Sequence, residues 1–171
     1  NLIAGHGYVT REKAGIEHLP KEMRPFLRKI GVTFGALDIF APALLKPAPR
    51  RLLRALGLDR RPLQEAMLPV IADAKKLPSG YRHAGSQAIR IDLAEKVLRA
   101  AHETRAKAQA KDRKRKFVLD YALPVSIGLE EENIARLLGN AGFRVQKARP
   151  LPEGQFGPPR PDRWEWRPSR R

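Results

Sequence analysis

RPFLRKIGVTFGALDIFAPALLKPAPRRLLRAL, residues Arg24 to Leu56, is the stretch from which the fold of this chain is read. It opens on an amphipathic turn or two, Phe26 to Ile30, and stops at Gly31. Val32 to Leu45 is then an apolar run punctuated only by Gly35 and Pro42. Burying an apolar side chain contributes about 1.5–3 kcal/mol, so the run belongs in a core that the rest of the chain must cover. Lys46-Pro47-Ala48-Pro49 ends it. Pro49 in the first turn and Gly57 at the C-terminal cap bound a short basic helix, Arg50 to Leu56. Leu52, Leu53 and Leu56 share one face of that helix, and Arg50, Arg51 and Arg54 populate the other.

On the N-terminal side, residues 1–18 are glycine-punctuated without clear period and read as the end of a preceding domain or a linker. Leu19-Pro20 opens a helix, and Pro25 either kinks it or marks its true start, because an interior proline costs about 3 kcal/mol. On the C-terminal side, Arg60-Arg61-Pro62 begins a short amphipathic piece running to Leu68, and Leu77 to Gly80 is a turn. Tyr81 to Ile91 predicts a two-strand ribbon bent at Ala84-Gly85-Ser86, with Ile89 and Ile91 alternating with Arg90. Asp92 with Glu95 is a helix-start signature, and a helix follows from Leu93 to Gln109 with Leu93, Val97, Leu98 and Ala101 as its stripe.

Lys111 to Lys116 (KDRKRK) is the densest charge in the chain and reads as a linker. Phe117–Ala122 predicts a short helix, Leu123–Gly128 a turn, and Leu129–Asn140 a helix with Ile134, Leu137 and Leu138 inward. Gly142 caps that helix, and Phe143-Arg144-Val145 leads out as a strand. The tail is rich in proline, glycine and arginine, a composition that favours extended chain. The expected fold is mainly α. It comprises a helical accessory domain with a small β-ribbon (19–110), a basic linker (111–116), a helix-turn-helix-like unit (117–145) and an extended Pro/Arg/Trp tail (146–171).

At 171 residues the chain suffices for one domain with a real core. It begins with Asn, which reads as a processed or excised piece of something longer. No apolar run approaches the ~18–20 residues that span a bilayer. The absence of cysteine excludes disulfides, thiolate metal sites and cysteine nucleophiles. Lys and Arg number 34 against 18 Asp and Glu, a net charge of +16. Such a surplus points to a polyanionic partner, with nucleic acid ahead of membrane. A membrane-binding helix would set Trp, Phe or Leu opposite a basic face, whereas both tryptophans lie in the proline-rich tail.

Three basic groups are candidate phosphate contacts: Lys46 with Arg50, Arg51 and Arg54; Arg90 on the ribbon; and Lys111, Arg113, Lys114, Arg115 and Lys116 in the linker. Trp164 and Trp166, flanked by Arg163 and Arg167, are candidates for base stacking. Alternation also sets both tryptophans on one side, where they could dock into the domain's own groove. Glu130-Glu131-Glu132 complements the N-terminal dipole of its helix. Three acids there would repel phosphates if this helix read DNA, so the unit is read as packing architecture. No Gly-Lys phosphate loop and no Asp-Glu-x-His motif occurs, which excludes an ATPase core in this chain. His6, His18, His83 and His102 are scattered, without metal-ligand spacing.

Two blocks carry a family resemblance. GVTFGALDIFAPALLKP resembles the segment just past the helicase core in the mitochondrial degradosome-type DExH-box RNA helicases and their alphaproteobacterial relatives. It matches at Gly31, Val32, Phe34, Gly35, Ile39, Phe40 and the PALLKP string Pro42 to Pro47. A second block, YR-x-x-G-x-x-A-I-R-I-D-L from Tyr81 to Leu93, resembles the same helicases in the same order. The resemblance implies a mainly helical accessory region C-terminal to two motor domains. The implied parent unwinds structured RNA, and some duplex DNA, with ATP and magnesium, and mitochondrial members feed single-stranded RNA to an exoribonuclease for degradation. Implied partners are therefore single-stranded RNA or DNA, the motor domains and an exoribonuclease, in the bacterial cytoplasm or the mitochondrial matrix. The family's ATP-site residues have no counterpart here, so no cofactor is expected in this chain. The rival reading is a protein-docking module for an exoribonuclease or a ribosome-associated partner, its charge serving solubility.

Overall fold

The apolar run Val32–Leu45 folds as a β-hairpin and one helical turn. The computed structural model describes residues 7–58, 68–72, 75, 77–112, 115–158 and 160–167. The expectations at His6, Arg113 and Lys114, and for the amphipathic piece from Arg60, lie outside these residues. Within the run, β2 (Thr33–Phe34) turns back on β3 (Asp38–Phe40) through Gly35-Ala36-Leu37. Phe34 lies opposite Ile39, and Thr33 opposite Phe40. β1 (Tyr8–Thr10) pairs with the other edge of β3, Tyr8 against Phe40. Val9, Ile16, Val32 and Ile39 form a small core beneath this sheet.

Before the hairpin comes α1 (Met23–Lys29). Pro25 falls in its first turn, where a backbone N–H has no intrahelical acceptor to lose. After the hairpin, α2 (Pro42–Leu45) and α3 (Pro47–Ala55) follow, each with proline at its start. In and just after α3 the facial reading fails at three positions, although Arg51 and Arg54 are exposed as it requires. Arg50 is buried, while Leu52 and Leu56 are 62% and 63% exposed.

A second sheet holds β4 (Val70–Ile71), β6 (Gln87–Arg90) and β5 (Tyr81–Ala84), in that order. The β5–β6 turn passes Asn133, whose Oδ1 accepts from the Ser86 N–H at 3.2 Å. Gly85 there has φ +61° and lies so close to Asn133 that no Cβ would fit. α4 (Ile91–Asp112) leaves β6 directly and is the long central helix. Beyond it lie β7 (Lys116–Phe117), α5 (Ala122–Ser126), α6 (Glu131–Asn140), β8 (Phe143–Gln146) and β9 (Arg163–Trp166). The third sheet runs β7-β9-β8, so a strand from the tail is its centre. One continuous core joins Ala84 and Ile89, Val97 and Leu98 of α4, Leu137 of α6, and Phe117, Phe143 and Trp164 of the third sheet.

The fold is thus mixed α/β, with three small three-stranded antiparallel sheets, and not mainly α. Three expectations change together. The region expected as a helical domain with one small ribbon gains a further sheet, because a glycine turn splits the apolar run into β2 and β3 and β1 supplies a partner. The helix expected at Phe117–Ala122 begins instead as β7, so the helix-turn-helix outline reduces to a short α5 before α6. The extended tail contributes β9, which pairs with both β7 and β8.

The first hairpin is fastened to α4 by a buried carboxylate. Glu95 accepts N–H bonds from Ala36, Leu37 and Asp38 at 2.6, 2.8 and 2.7 Å. It is a tertiary anchor, whereas the sequence signature made it a local cap. Gly35 beside it leaves no room for a Cβ. Asp38, also buried, takes a bidentate pair from Arg82 at 2.7 and 2.8 Å. Burial pushes the Glu95 carboxyl above its ordinary value, against the three N–H donors. Folded protein therefore holds that proton more tightly than unfolded chain. The resulting stability is full below the ordinary value of about 4.3 and is lost as pH rises through the folded value. In urea titrations, the stability of the wild type relative to Glu95→Gln is expected to fall as pH rises above about 4. A difference that stays constant with pH contradicts this.

Candidate nucleic-acid interface

Between the first sheet and the third lies an open cleft of about 830 Å³. Five arginines line it, from five separate places in the chain, with Glu12 as the one acid among its lining residues. Arg11 follows β1, Arg24 stands on α1, Arg82 on β5, Arg144 on β8, and Arg167 follows β9. Arg11 is exposed and donates to the Gly35 carbonyl at 2.8 Å. Arg82 is held by Asp38. Arg167 pairs with Glu165 at 2.9 Å yet keeps a side chain 71% exposed. Arg144 is exposed, opposite Glu165 across the β8–β9 ladder.

Part of the cleft wall is aromatic. Trp166 donates its indole N–H to the Ala141 carbonyl at 3.0 Å. The Arg105 guanidinium lies 4.1 Å from the Trp166 ring centre, a cation–π geometry. His102 stands edge-on to Trp166 at 5.6 Å and against Phe143 at 4.8 Å. Burial, then the charge of Arg105, lowers the His102 pKa below its ordinary value, so the imidazole is neutral at pH 7.

Alternation along the third sheet gives a second basic surface. Phe143, Val145, Trp164 and Trp166 take one face and pack in the core or against it. Arg144, Gln146 and Arg163 alternate with them and are exposed, as are Lys116 and its neighbour Arg115. Glu165, in the central strand, stands between Lys116 and Arg144. Its carboxyl is held below the ordinary range by a hydrogen bond from Arg167 and by the charges of Arg167, Lys116 and Arg115.

The predicted contacts divide in space. Arg115, Lys116, Arg163, Trp166 and Arg167 are gathered on or beside the third sheet, although some 50 residues of chain separate β7 from β9. Trp164 faces inward, 1% exposed, its indole N–H donating to the Tyr121 hydroxyl at 3.0 Å. Lys111 is exposed in the last turn of α4. Lys46, Arg51 and Arg54 are exposed on or beside α3, which packs chiefly on α2, and Arg50 is buried there. Arg90 is committed to Asp92 by two bonds of 2.7 Å. Of the cleft residues, Arg11, Arg24 and Arg144 are not singled out as contacts by the sequence, Arg82 stands there only as part of the second resembling block, and His102 only as a scattered histidine. The packing of α1, the first sheet, the ribbon, α4 and the third sheet brings them together. Among the described residues, no group of three or more His, Asp or Glu is arranged to hold a metal ion, and no helix is long and apolar enough to cross a membrane.

Compared with known proteins, the chain matches no family model, no curated protein and no solved structure.

Proposed function

We propose that this chain is a nucleic-acid-binding accessory module of an ATP-dependent helicase, gripping single-stranded RNA beside a motor that supplies the nucleotide chemistry. The observation that carries the reading is the arginine cleft, five arginines of which Arg82 is paired with Asp38 and Arg167 with Glu165, continuous through Arg144 and Arg167 with the basic outer face of the third sheet. Phosphates supply most sequence-independent affinity, and aromatic groups beside such a groove accept bases without sequence preference.

The helicase assignment leans on the two resembling blocks, and their packing supports treating them as one module. Gly31–Pro47 forms the first hairpin and α2, while Tyr81–Leu93 forms the ribbon and the start of α4. The Asp38–Arg82 pair joins the two. ATP, magnesium and a bacterial cytoplasmic or mitochondrial matrix setting belong to the proposed parent.

A second reading, docking to the motor, an exoribonuclease or a ribosome-associated partner, is favoured by the apolar groups left outward. Phe26 and Ile30 on and just after α1 are 56% and 61% exposed, and Leu52 and Leu56 on and just after α3 are similarly bare. Photocrosslinking with thiouridine-substituted single-stranded RNA separates the two. The nucleic-acid reading expects adducts in peptides containing Arg144 and Trp166–Arg167. Adducts confined to α1 and α3, or none at low salt, would count against it.

A further inference from the structure

We infer that Phe156, at the tip of the β8–β9 loop, is a base-stacking contact for the nucleic acid bound along the third sheet. The inference rests on the nucleic-acid reading above and names a contact that lies outside the cleft.

The loop from Lys147 to Asp162 is closed at its base. Asp162 accepts the Ala148 N–H at 2.8 Å and pairs with Lys147 at 3.3 Å. That hydrogen bond and the Lys147 charge hold the Asp162 carboxyl below its ordinary range. Toward the tip, the Gln155 N–H donates to the Pro152 carbonyl at 3.1 Å, and Gly154 has φ +82°. This is the hydrogen-bonded turn that wants glycine at its third position. Phe156 comes directly after it.

Phe156 is 99% exposed, whereas the other exposed large apolar residues among those described lie between 43% and 63%. Those others keep part of their surface against the fold, and Phe156 keeps almost none. Gly154 and Gly157 on either side have open space where a Cβ would stand. At 99% exposure, both faces of the Phe156 ring are open to a planar group.

The surroundings select the occupant. Lys147, Arg149, Arg160 and Arg163 are exposed on the loop and at its base. Of the two acids in the loop, Asp162 is committed to the closure, leaving Glu153. Arg163 and Gln146 pair at the sheet end nearest the loop, and Arg144 and Glu165 lie further along the same ladder. A strand whose phosphates follow this basic face reaches the loop at one end and the arginine cleft at the other. A flat apolar ring in a cationic setting suits a nucleobase, which brings its own phosphate.

The test uses the whole chain and a single-stranded RNA carrying 2-aminopurine at successive positions. Phe156→Ala is expected to weaken binding about five- to a hundredfold, to abolish base-analogue quenching at one position, and to leave the salt slope unchanged. Phe156→Trp should restore both signals, and Phe156→Leu, apolar but not planar, should restore neither. Equal affinity of wild type and Phe156→Ala overturns the inference while leaving the interface intact. Rescue by Phe156→Leu also overturns it, since that marks a greasy contact with no stacking. If the wild type binds no oligonucleotide at low salt, the proposed function and this inference fall together.

Discussion

Replacing Trp164 with alanine is expected to lower the free energy of unfolding by about 3–5 kcal/mol, against a total of about 5–15 kcal/mol for an ordinary domain. The ring is 1% exposed in the central strand of the third sheet, opposite Phe117 on one side and Val145 on the other. Deletion leaves a cavity in the main core, between elements that cannot close over it without breaking strand pairs. It also leaves the Tyr121 hydroxyl without the indole N–H it accepts at 3.0 Å. Burial already pushes the Tyr121 hydroxyl pKa up, and the Trp164 hydrogen bond opposes that. Tyr121 is only half-buried, so water can replace the donor and the lost bond adds about 0.5–1.5 kcal/mol. Trp164→Phe, which keeps most of the apolar contact and loses the N–H, should fall between wild type and Trp164→Ala. Urea unfolding of the three proteins gives the comparison. A loss below about 1 kcal/mol for Trp164→Ala, typical of a surface change, would mean that this segment is not part of the core.

The same residue shows where sequence reading stops. Elements built from their own periodicity were legible: α4 from Val97, Leu98 and Ala101, α6 from Ile134, Leu137 and Leu138, and the β5–β6 ribbon from its glycine bend. Strands of two to four residues with distant partners were not. Tyr8 meets Phe40, and Lys116 meets Glu165. Neither segment carries enough residues to show a period of two before its partner is known. A tail of proline, glycine and arginine therefore read as extended chain, and its central strand became visible only through the pairing.

Charge was legible in amount and illegible in arrangement. The surplus of cations is plain in the composition, yet the cleft draws Arg11, Arg24, Arg82, Arg144 and Arg167 from five elements. The run at Lys111–Lys116 and the arginines of α3 drew attention because they are contiguous. In the fold, Arg51 and Arg54 are exposed as their pattern requires, but Arg50 turns inward while Leu52 and Leu56 turn out, so hydrophobicity alone assigned the faces of α3 only in part. Glu95 is a similar case. Its spacing from Asp92 suits a local cap, but its carboxylate spans to the Ala36–Asp38 turn instead.

The central claim is that the positive surface of this chain holds the phosphates of a single strand, and salt dependence tests it most directly. Each phosphate neutralised on a single strand adds about −0.7 to the slope of log K against log salt. About five phosphate contacts, shared between the cleft and the exposed cations of the third sheet, give a slope of about −3.5. Between about 50 and 200 mM salt the affinity should then drop roughly a hundredfold. The measurement is fluorescence anisotropy of the whole chain titrated into labelled single-stranded RNA at those two concentrations, repeated with an unrelated sequence. The account predicts tight, sequence-tolerant binding at low salt and that hundredfold loss at high salt. Binding that is absent at the lower salt, or that does not change between the two, would contradict it.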